Sequence, residues 1–405
     1  MHVIFIAPGY PAEMPHFVRG LAGHGATVLG VSDVPRDQLP ALAVQHLADY
    51  LHVPSLQDEA DVVRRVTAWV ASRSIARVVC MWEPGVVLAA RLRAELQVPG
   101  QSIEAAIRFR DKDVMKQQIT AAGIRTARHA RADTAAGVRE AVATVGYPAI
   151  IKPIAGAGSM DTFRVADPRE LELALARLTH VPEVQVEEFI TGEEFTFDTI
   201  CVDGEIKYYN IGYYRPNPLL ARSHEWISPQ TLCLRDPDAP ELASGRALGR
   251  AVLAAMEFGT GFTHMEWFLT ASGEAIFGEI AARPPGAHTV DLMNFASDID
   301  LFRGYAEAEL HGTFSEHVER KYNTANIFKR AIGEGRIARI EGLGPLMQRY
   351  GPHVVHLDLL PVGAPRRDWV LTLVSDGYVV VRHPDWDTTK QIADAFGTDL
   401  RLYAN

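Results

Sequence analysis

The chain opens on a continuous apolar run, Val3-Ile4-Phe5-Ile6-Ala7, that stops at Pro8-Gly9. Such a run predicts a strand buried on both faces of a parallel sheet. Apolar positions recur at helical spacing near residues 14–24, and a second strand-like run covers 27–31. Helical periodicity returns over 58–72, a third strand is predicted over 77–81, and a helix over 84–96 has Pro84 near its start. Strands alternating with helices imply a small open parallel α/β sheet. Sheets of this kind place ligands beyond the carboxyl ends of their strands, here marked by Gly9 and by the turn Glu83-Pro84-Gly85. No Gly-x-Gly-x-x-Gly follows the first strand, so a dinucleotide site is not expected.

After Pro99-Gly100 the pattern changes. A segment beginning Arg108-Phe109-Arg110-Asp111-Lys112-Asp113 becomes helical through Ala122 and is stopped by Gly123; a second helix spans 134–145 and stops at Gly146. Tyr147-Pro148-Ala149-Ile150-Ile151-Lys152-Pro153 reads as a strand with a lysine near its end, followed by the glycine-rich link Ala155-Gly156-Ala157-Gly158-Ser159-Met160 and a strand near 162–165. A glycine-rich link between strands can offer backbone N–H groups to phosphate, although the lysine-serine ending of a P-loop is missing. A helix over 167–179 leads to a strand over 184–190 containing Glu187-Glu188, then to a hairpin turning at Asp203-Gly204 and returning to about Tyr214. Residues 215–232 show no period and read as a mobile loop near substrate. A long helix covers 240–258.

Next come two short apolar runs, each with one glutamate, around the turn Ala271-Ser272-Gly273: His264-Met265-Glu266-Trp267-Phe268, and Gly278-Glu279-Ile280-Ala281-Ala282-Arg283 before Pro284-Pro285-Gly286. This predicts a β-hairpin with Glu266 and Glu279 on neighbouring strands. Two carboxylates on one face repel unless a cation lies between them, and Mg²⁺ suits hard oxygen ligands with open positions for phosphate. Arg283 could fork onto phosphate or carboxylate oxygens. Beyond a helix near 299–310, strands are predicted near 326–329, 370–374 and 378–382, and a helix over 388–396.

With 405 residues, 47% hydrophobic and 22% charged, the chain has ample core for two or three domains. A net charge of −10 makes a nucleic-acid partner a poor expectation. Cys80, Cys201 and Cys233 form no zinc pattern and suit a reducing compartment. No secretory signal or bilayer-length apolar run is seen, so the expected location is the cytoplasm, with no membrane partner.

The ordered set of signals resembles the ATP-grasp superfamily, in particular its carboxylate–amine ligases that join amino acids into dipeptides. The resemblance covers about three quarters of the chain, and rests on Arg110-Asp111-Lys112, Ala122-Gly123-Ile124, residues 147–153 with the glycine link, Glu187-Glu188-Phe189-Ile190, Gly192-Glu193-Glu194-Phe195, Glu266, and Glu279 through Arg283. It implies an α/β ATP-grasp fold with an N-terminal open parallel α/β domain (1–98), a lid-bearing small ATP-grasp subdomain (99–186), a metal and substrate subdomain (187–312) and a C-terminal mixed α/β appendage (313–405). It implies ATP and Mg²⁺ as cofactors, with Mn²⁺ as a substitute. Lys112 and Lys152 would contact ATP phosphates, while Gly156, Gly158 and Ser159 would belong to the loop that closes over them. Glu187, Glu188, Phe189 and Ile190 would form the connector along the adenine edge, and Glu194 would bind ribose hydroxyls. Glu266 and Glu279 would hold the metal. Arg283 would steady the γ-phosphate and, with Lys152, serve catalysis; Arg215 and His288 would line the substrate site. Where many members carry an asparagine metal ligand, this chain has Ala281, which puts a two-metal arrangement in doubt.

The implied reaction is ADP-forming ligation of a small carboxylic acid or amino acid to an amine through an acyl phosphate, in a chain whose partners are those small molecules and a second copy in a homodimer. The alternatives are a biotin-carboxylase-like or purine-pathway ligase, and an ATP-binding regulatory protein without catalysis. Pro284-Pro285-Gly286 after Arg283 argues against the carboxylase branch, and the retained Lys152, Glu266, Glu279 and Arg283 argue against the regulatory reading.

Overall fold

The computed structural model describes residues 1–154, 161–370, 372 and 374–405. The N-terminal unit is a four-stranded parallel sheet in the order Leu47–His52, Thr27–Ser32, His2–Ile6, Ile75–Cys80. Val3, Ile4, Phe5 and Ile6 are fully buried, as a continuous apolar strand in a parallel sheet must be. The sheet's edge strand, Leu47–His52, and the helix Ala41–His46 before it were not expected. The strand carries Asp49 and His52 and buries only Leu47, so it has no apolar run to betray it. The third predicted strand leads into a short 3₁₀ turn at Glu83–Gly85 and the helix Val86–Leu96.

A second sheet is antiparallel, in the order His129–Ala132, Val184–Glu188, Ala149–Pro153, Phe163–Val165. Val142, Ile151, Leu171, Ala174, Val184 and Val186 form the core between it and the helices Ala135–Val145 and Pro168–Arg177. Strand alternation sends Lys152, Gln185 and Glu187 to the opposite face. The single helix expected up to Ala122 is two helices, Ile103–Arg110 and Lys112–Ala121. Asp111, in extended conformation between them, caps the second by accepting from the N–H groups of Asp113 and Val114. That break sets Lys112 on the first helical turn, with Lys116 one turn later on the same face.

The largest sheet has eight antiparallel strands: Ala275–Ala281, Gly261–Leu269, Glu193–Val202, Glu205–Arg215, Gln230–Cys233, Asn323–Phe328, Gly377–His383 and Val354–Leu359. The expected glutamate hairpin is its first pair. Helix Ala243–Ala255 packs on one face, with Gly245 against the buried Trp267 and Gly249 against Phe197. A two-stranded sheet, Ile337–Glu341 with Arg401–Ala404, and the helix Trp386–Asp399 complete the C-terminal part.

Several expectations need correction. Residues 215–232 are not one irregular loop, because they hold the helix Pro218–Ser223, capped by Asn217, and enter the strand Gln230–Cys233. The helix Thr289–Ser297 lies ahead of the one expected near 299–310, which runs over Leu301–His311. Of residues 370–374 only Val370, Thr372 and Val374 are described, and none is in a strand. The glycine link with Gly156, Gly158 and Ser159 lies outside the described residues.

Candidate active site

Glu266 and Glu279 stand directly opposite each other on adjacent antiparallel strands. On the other side of Glu266 the register partner is Thr196, so Glu194 and Asp198, two residues to either side, share the same face. The register slips just after Glu266, and Gly278 makes this slip feasible: a Cβ there would lie 2.8 Å from the carbonyl oxygen of Glu266. The carboxylate pair is thus placed by an irregularity that needs glycine.

Three lysines converge on this face. The Nζ atoms of Lys112 and Lys152 each lie 3.3 Å from Oε2 of Glu279. Lys152 Nζ is also 3.1 Å from Oε1 of Glu187, and Lys116 Nζ approaches that same oxygen at 3.2 Å. The charges therefore alternate from Lys112 through Glu279, Lys152 and Glu187 to Lys116. Burial alone would push both carboxyls up, but the lysines outweigh it and hold Glu279 and Glu187 below the usual carboxylate range. Burial works against the charge on Lys152 too, and Glu187 and Glu279 more than restore it, so its pKa is raised. Lys116 is wholly buried, and desolvation brings it down to about 8 despite Glu187. Glu194 is pushed well up, first by burial and then by the charges of Glu266 and Glu279.

Arg283, at the end of the second hairpin strand, donates from Nε to Oε2 of Glu83 at 2.6 Å and from Nη1 to the carbonyl of Pro284 at 2.8 Å. Arg110 Nη1 reaches the other Glu83 oxygen at 3.4 Å. Glu83 comes from the N-terminal sheet, at the strand end marked by the sequence. Its carboxyl would be raised by burial, but Arg283, Lys112 and Arg110 hold it low. Beside Glu266, His264 Nδ1 bonds Oδ1 of Asp198 at 2.6 Å and its Nε2 lies 3.5 Å from Glu266 Oε1. Thr196 and Asn210 donate to the other Asp198 oxygen. Burial opposes a charge on His264, yet Asp198 and Glu266 outweigh it and lift its pKa to about 9. His264 is also the register partner of Ala281. The Tyr214 hydroxyl donates to Glu266 at 3.5 Å.

The connector is more tightly tied than expected. Glu188 accepts from Arg125 and Arg128, while the Glu188 and Phe189 N–H groups bond the carbonyls of Arg128 and Pro148. Arg164 lies over the Phe189 ring, and Ile190 packs with Ala127 and Ile276. A cavity of about 420 Å³ opens beside Glu194, Tyr214, Arg215, Asn217, Gln230 and Asp394. Arg215 is at its wall, bonded to Gln230 and Asp394. His288 lies elsewhere, bonded to Asp291 at 3.0 Å and stacked on Tyr378. A larger cavity of about 550 Å³ against Glu225, Arg366 and Trp369 contains none of the clustered lysines and glutamates.

Sequence reading had not singled out Lys116, Asp198, Tyr214 or a role for His264. Lys116 was findable, since it lies one turn after Lys112 in a helix. Asp198 and Tyr214 depend on cross-strand register over long sequence separations and carry no local signal.

No family model matches the chain. The L-arginine-specific L-amino acid ligase of Bacillus subtilis is 26% identical over 265 residues, covering 64% of this chain and 63% of the relative. The chain thus aligns with a little under two thirds of that relative's length. Among solved structures, L-amino acid ligase from Bacillus licheniformis superposes with a TM-score of 0.79 at 18% identity, covering 100% of this chain and 99% of the other. N5-carboxyaminoimidazole synthetase from Staphylococcus aureus complexed with ADP gives 0.72 at 14% identity, with 97% and 96% covered.

Proposed function

We propose, for a chain that has the ATP-grasp fold, an ADP-forming carboxylate–amine ligase that works through an acyl phosphate and takes amino acids as substrates. The observation that carries this reading is the convergence of Lys112 and Lys152 on Glu279, with Glu266 opposite it. Paired lysine ammoniums are suited to a polyphosphate, and their shared contact with Glu279 holds both on one face. The relatedness to L-amino acid ligases supports the choice of substrate class.

In this reading Lys112 and Lys152 bind the phosphates, and the strand end from Glu187 to Ile190 flanks adenine. Glu194, at the cavity, meets the ribose, and Gly156, Gly158 and Ser159 are assigned to the phosphates. Glu266 and Glu279 would hold Mg²⁺, with Mn²⁺ as a substitute. Their oxygen donors suit a hard cation. Bound Mg²⁺ supplies charge neutralisation for phosphoryl transfer.

The chain's own residues then position and stabilise. A substrate carboxylate oxygen bonds the γ-phosphorus as the bond to ADP breaks, and Arg283 meets the charge that develops there. The amine next attacks the acyl carbon, loses a proton, and expels inorganic phosphate. The protein supplies no covalent nucleophile; its contribution is orientation and charge. Arg215, at the cavity wall, is assigned to substrate, as is His288 outside that cavity, and the proposed working unit is a homodimer in the cytoplasm.

The test is incubation with ATP, Mg²⁺ and mixed amino acids, reading ADP release and dipeptide mass together. Amino-acid-dependent ADP with a new dipeptide supports the reading. ATP turnover yielding AMP, or none under any amino-acid mixture, overturns it.

A further inference from the structure

We propose that Glu83 is a positioning residue for phosphoryl transfer, acting through Arg283. The proposal rests on the ligase reading for the role of Arg283, and on the geometry of the ion pair for everything else. Glu83 projects from the carboxyl end of strand Ile75–Cys80, in a different sheet from Arg283 and 200 residues away in sequence. Its side chain is only 11% exposed and lies between two arginines. Oε2 takes the Arg283 Nε hydrogen at 2.6 Å, and Oε1 faces Arg110 at 3.4 Å.

An arginine has five N–H donors in one rigid plane. Fixing Nε to a carboxylate and Nη1 to the Pro284 carbonyl sets both the plane and its rotation. The remaining donors then have one direction available. A guanidinium held this way needs no reorganisation when charge builds on a transferring phosphoryl group, which is when preorganised donors matter most. Burial strengthens the restraint, because a desolvated carboxylate between two cations cannot leave without exposing an uncompensated charge. Arg110 balances the second oxygen, so Glu83 is held at both ends, and neither bond that fixes Arg283 uses its Nη2. The same pair joins the N-terminal sheet to the site, so a change in the turn Glu83–Gly85 is felt by the arginine.

If Glu83 acts by orientation, its loss should be felt by a planar, transition-state-like phosphoryl group and hardly at all by ADP. The experiment measures, by calorimetry, the affinity of Mg²⁺–ADP and of Mg²⁺–ADP–aluminium fluoride for the wild type, Glu83→Gln, Arg283→Lys and the double variant. Glu83→Gln should weaken the aluminium fluoride complex about tenfold or more and leave ADP within about twofold. In the Arg283→Lys background the same change should add little, since the two act as one unit. If Glu83→Gln does not fold, Glu83→Asp keeps the charge but draws it back, and should give the same selective loss at smaller size.

Unchanged aluminium fluoride affinity overturns the proposal. So does an equal loss for ADP, or a loss that persists in full without Arg283. A wild type that fails to bind Mg²⁺–ADP overturns this proposal and the ligase reading together. A wild type that makes dipeptide while Glu83→Gln binds both ligands normally overturns this one alone.

Discussion

Glu279 is the most heavily engaged carboxylate of the cluster: half-buried, opposite Glu266, and contacted by two lysines. Glu279→Gln removes the charge but keeps the shape. Turnover should fall at least about a hundredfold at saturating Mg²⁺, because such charge stabilisation is worth several kcal/mol; steady-state assays across Mg²⁺ concentrations check this. His264 gives a pH prediction. Its folded pKa of about 9 lies above the ordinary histidine value of 6.5, so its charged contacts with Asp198 and Glu266 stabilise the fold. That contribution is complete below about pH 6.5 and is lost as pH rises through about 9. The stability gap between wild type and His264→Gln, read by thermal unfolding, should therefore be widest near pH 6 and narrow toward pH 9.5. A gap that widens with pH would contradict the geometry.

At the scale of elements, the glutamate hairpin is held in register by what packs beneath it. Helix Ala243–Ala255 approaches the sheet so closely that a Cβ on Gly245 would lie 2.1 Å from the Trp267 ring. Trp267 is fully buried and directly follows Glu266, at the register slip. Gly245→Ala should thus cost about 1–3 kcal/mol by overpacking, although alanine is the better helix former. Chemical denaturation measures this. Part of the strain should reach Glu266, so the variant's Mg²⁺ requirement should rise as its stability falls. Gly23, which has open space around it in another helix, is the control and should tolerate alanine.

At the scale of the molecule, three sheets meet at one site. The parallel sheet brings Glu83, the four-stranded sheet brings Lys152 and Glu187, and the eight-stranded sheet brings Glu266, Glu279 and Glu194. Such an assembly from separate units suits the proposed ligation, whose acyl phosphate would have to meet the amine before water. The course of the proposed ligation is testable with ¹⁸O in the carboxylate substrate. Passage through an acyl phosphate moves one labelled oxygen into the released phosphate, so that phosphate should carry the label by mass spectrometry. Label retained wholly in the product would exclude this route.

The sequence by itself determined the local elements and most of the chemistry-bearing positions. Apolar runs marked the buried strands, glycine and proline marked their ends, and alternation placed Glu266 and Glu279 on a hairpin, because these signals depend only on neighbours a few residues apart. It also carried the order of motifs from which the fold was legible. Tertiary structure alone decided who meets whom. Lys116 becomes part of the cluster because its helix lies against the strand of Glu187; Glu83 meets Arg283 because two sheets dock. The half-exposed edge strand Leu47–His52 and the helix Pro218–Ser223 were hidden for the same reason. The strand is completed by pairing with Thr27–Ser32, and the last carbonyls of the helix by Arg330, more than a hundred residues away; a one-dimensional pattern records burial on a residue's own element, not the partner that completes it.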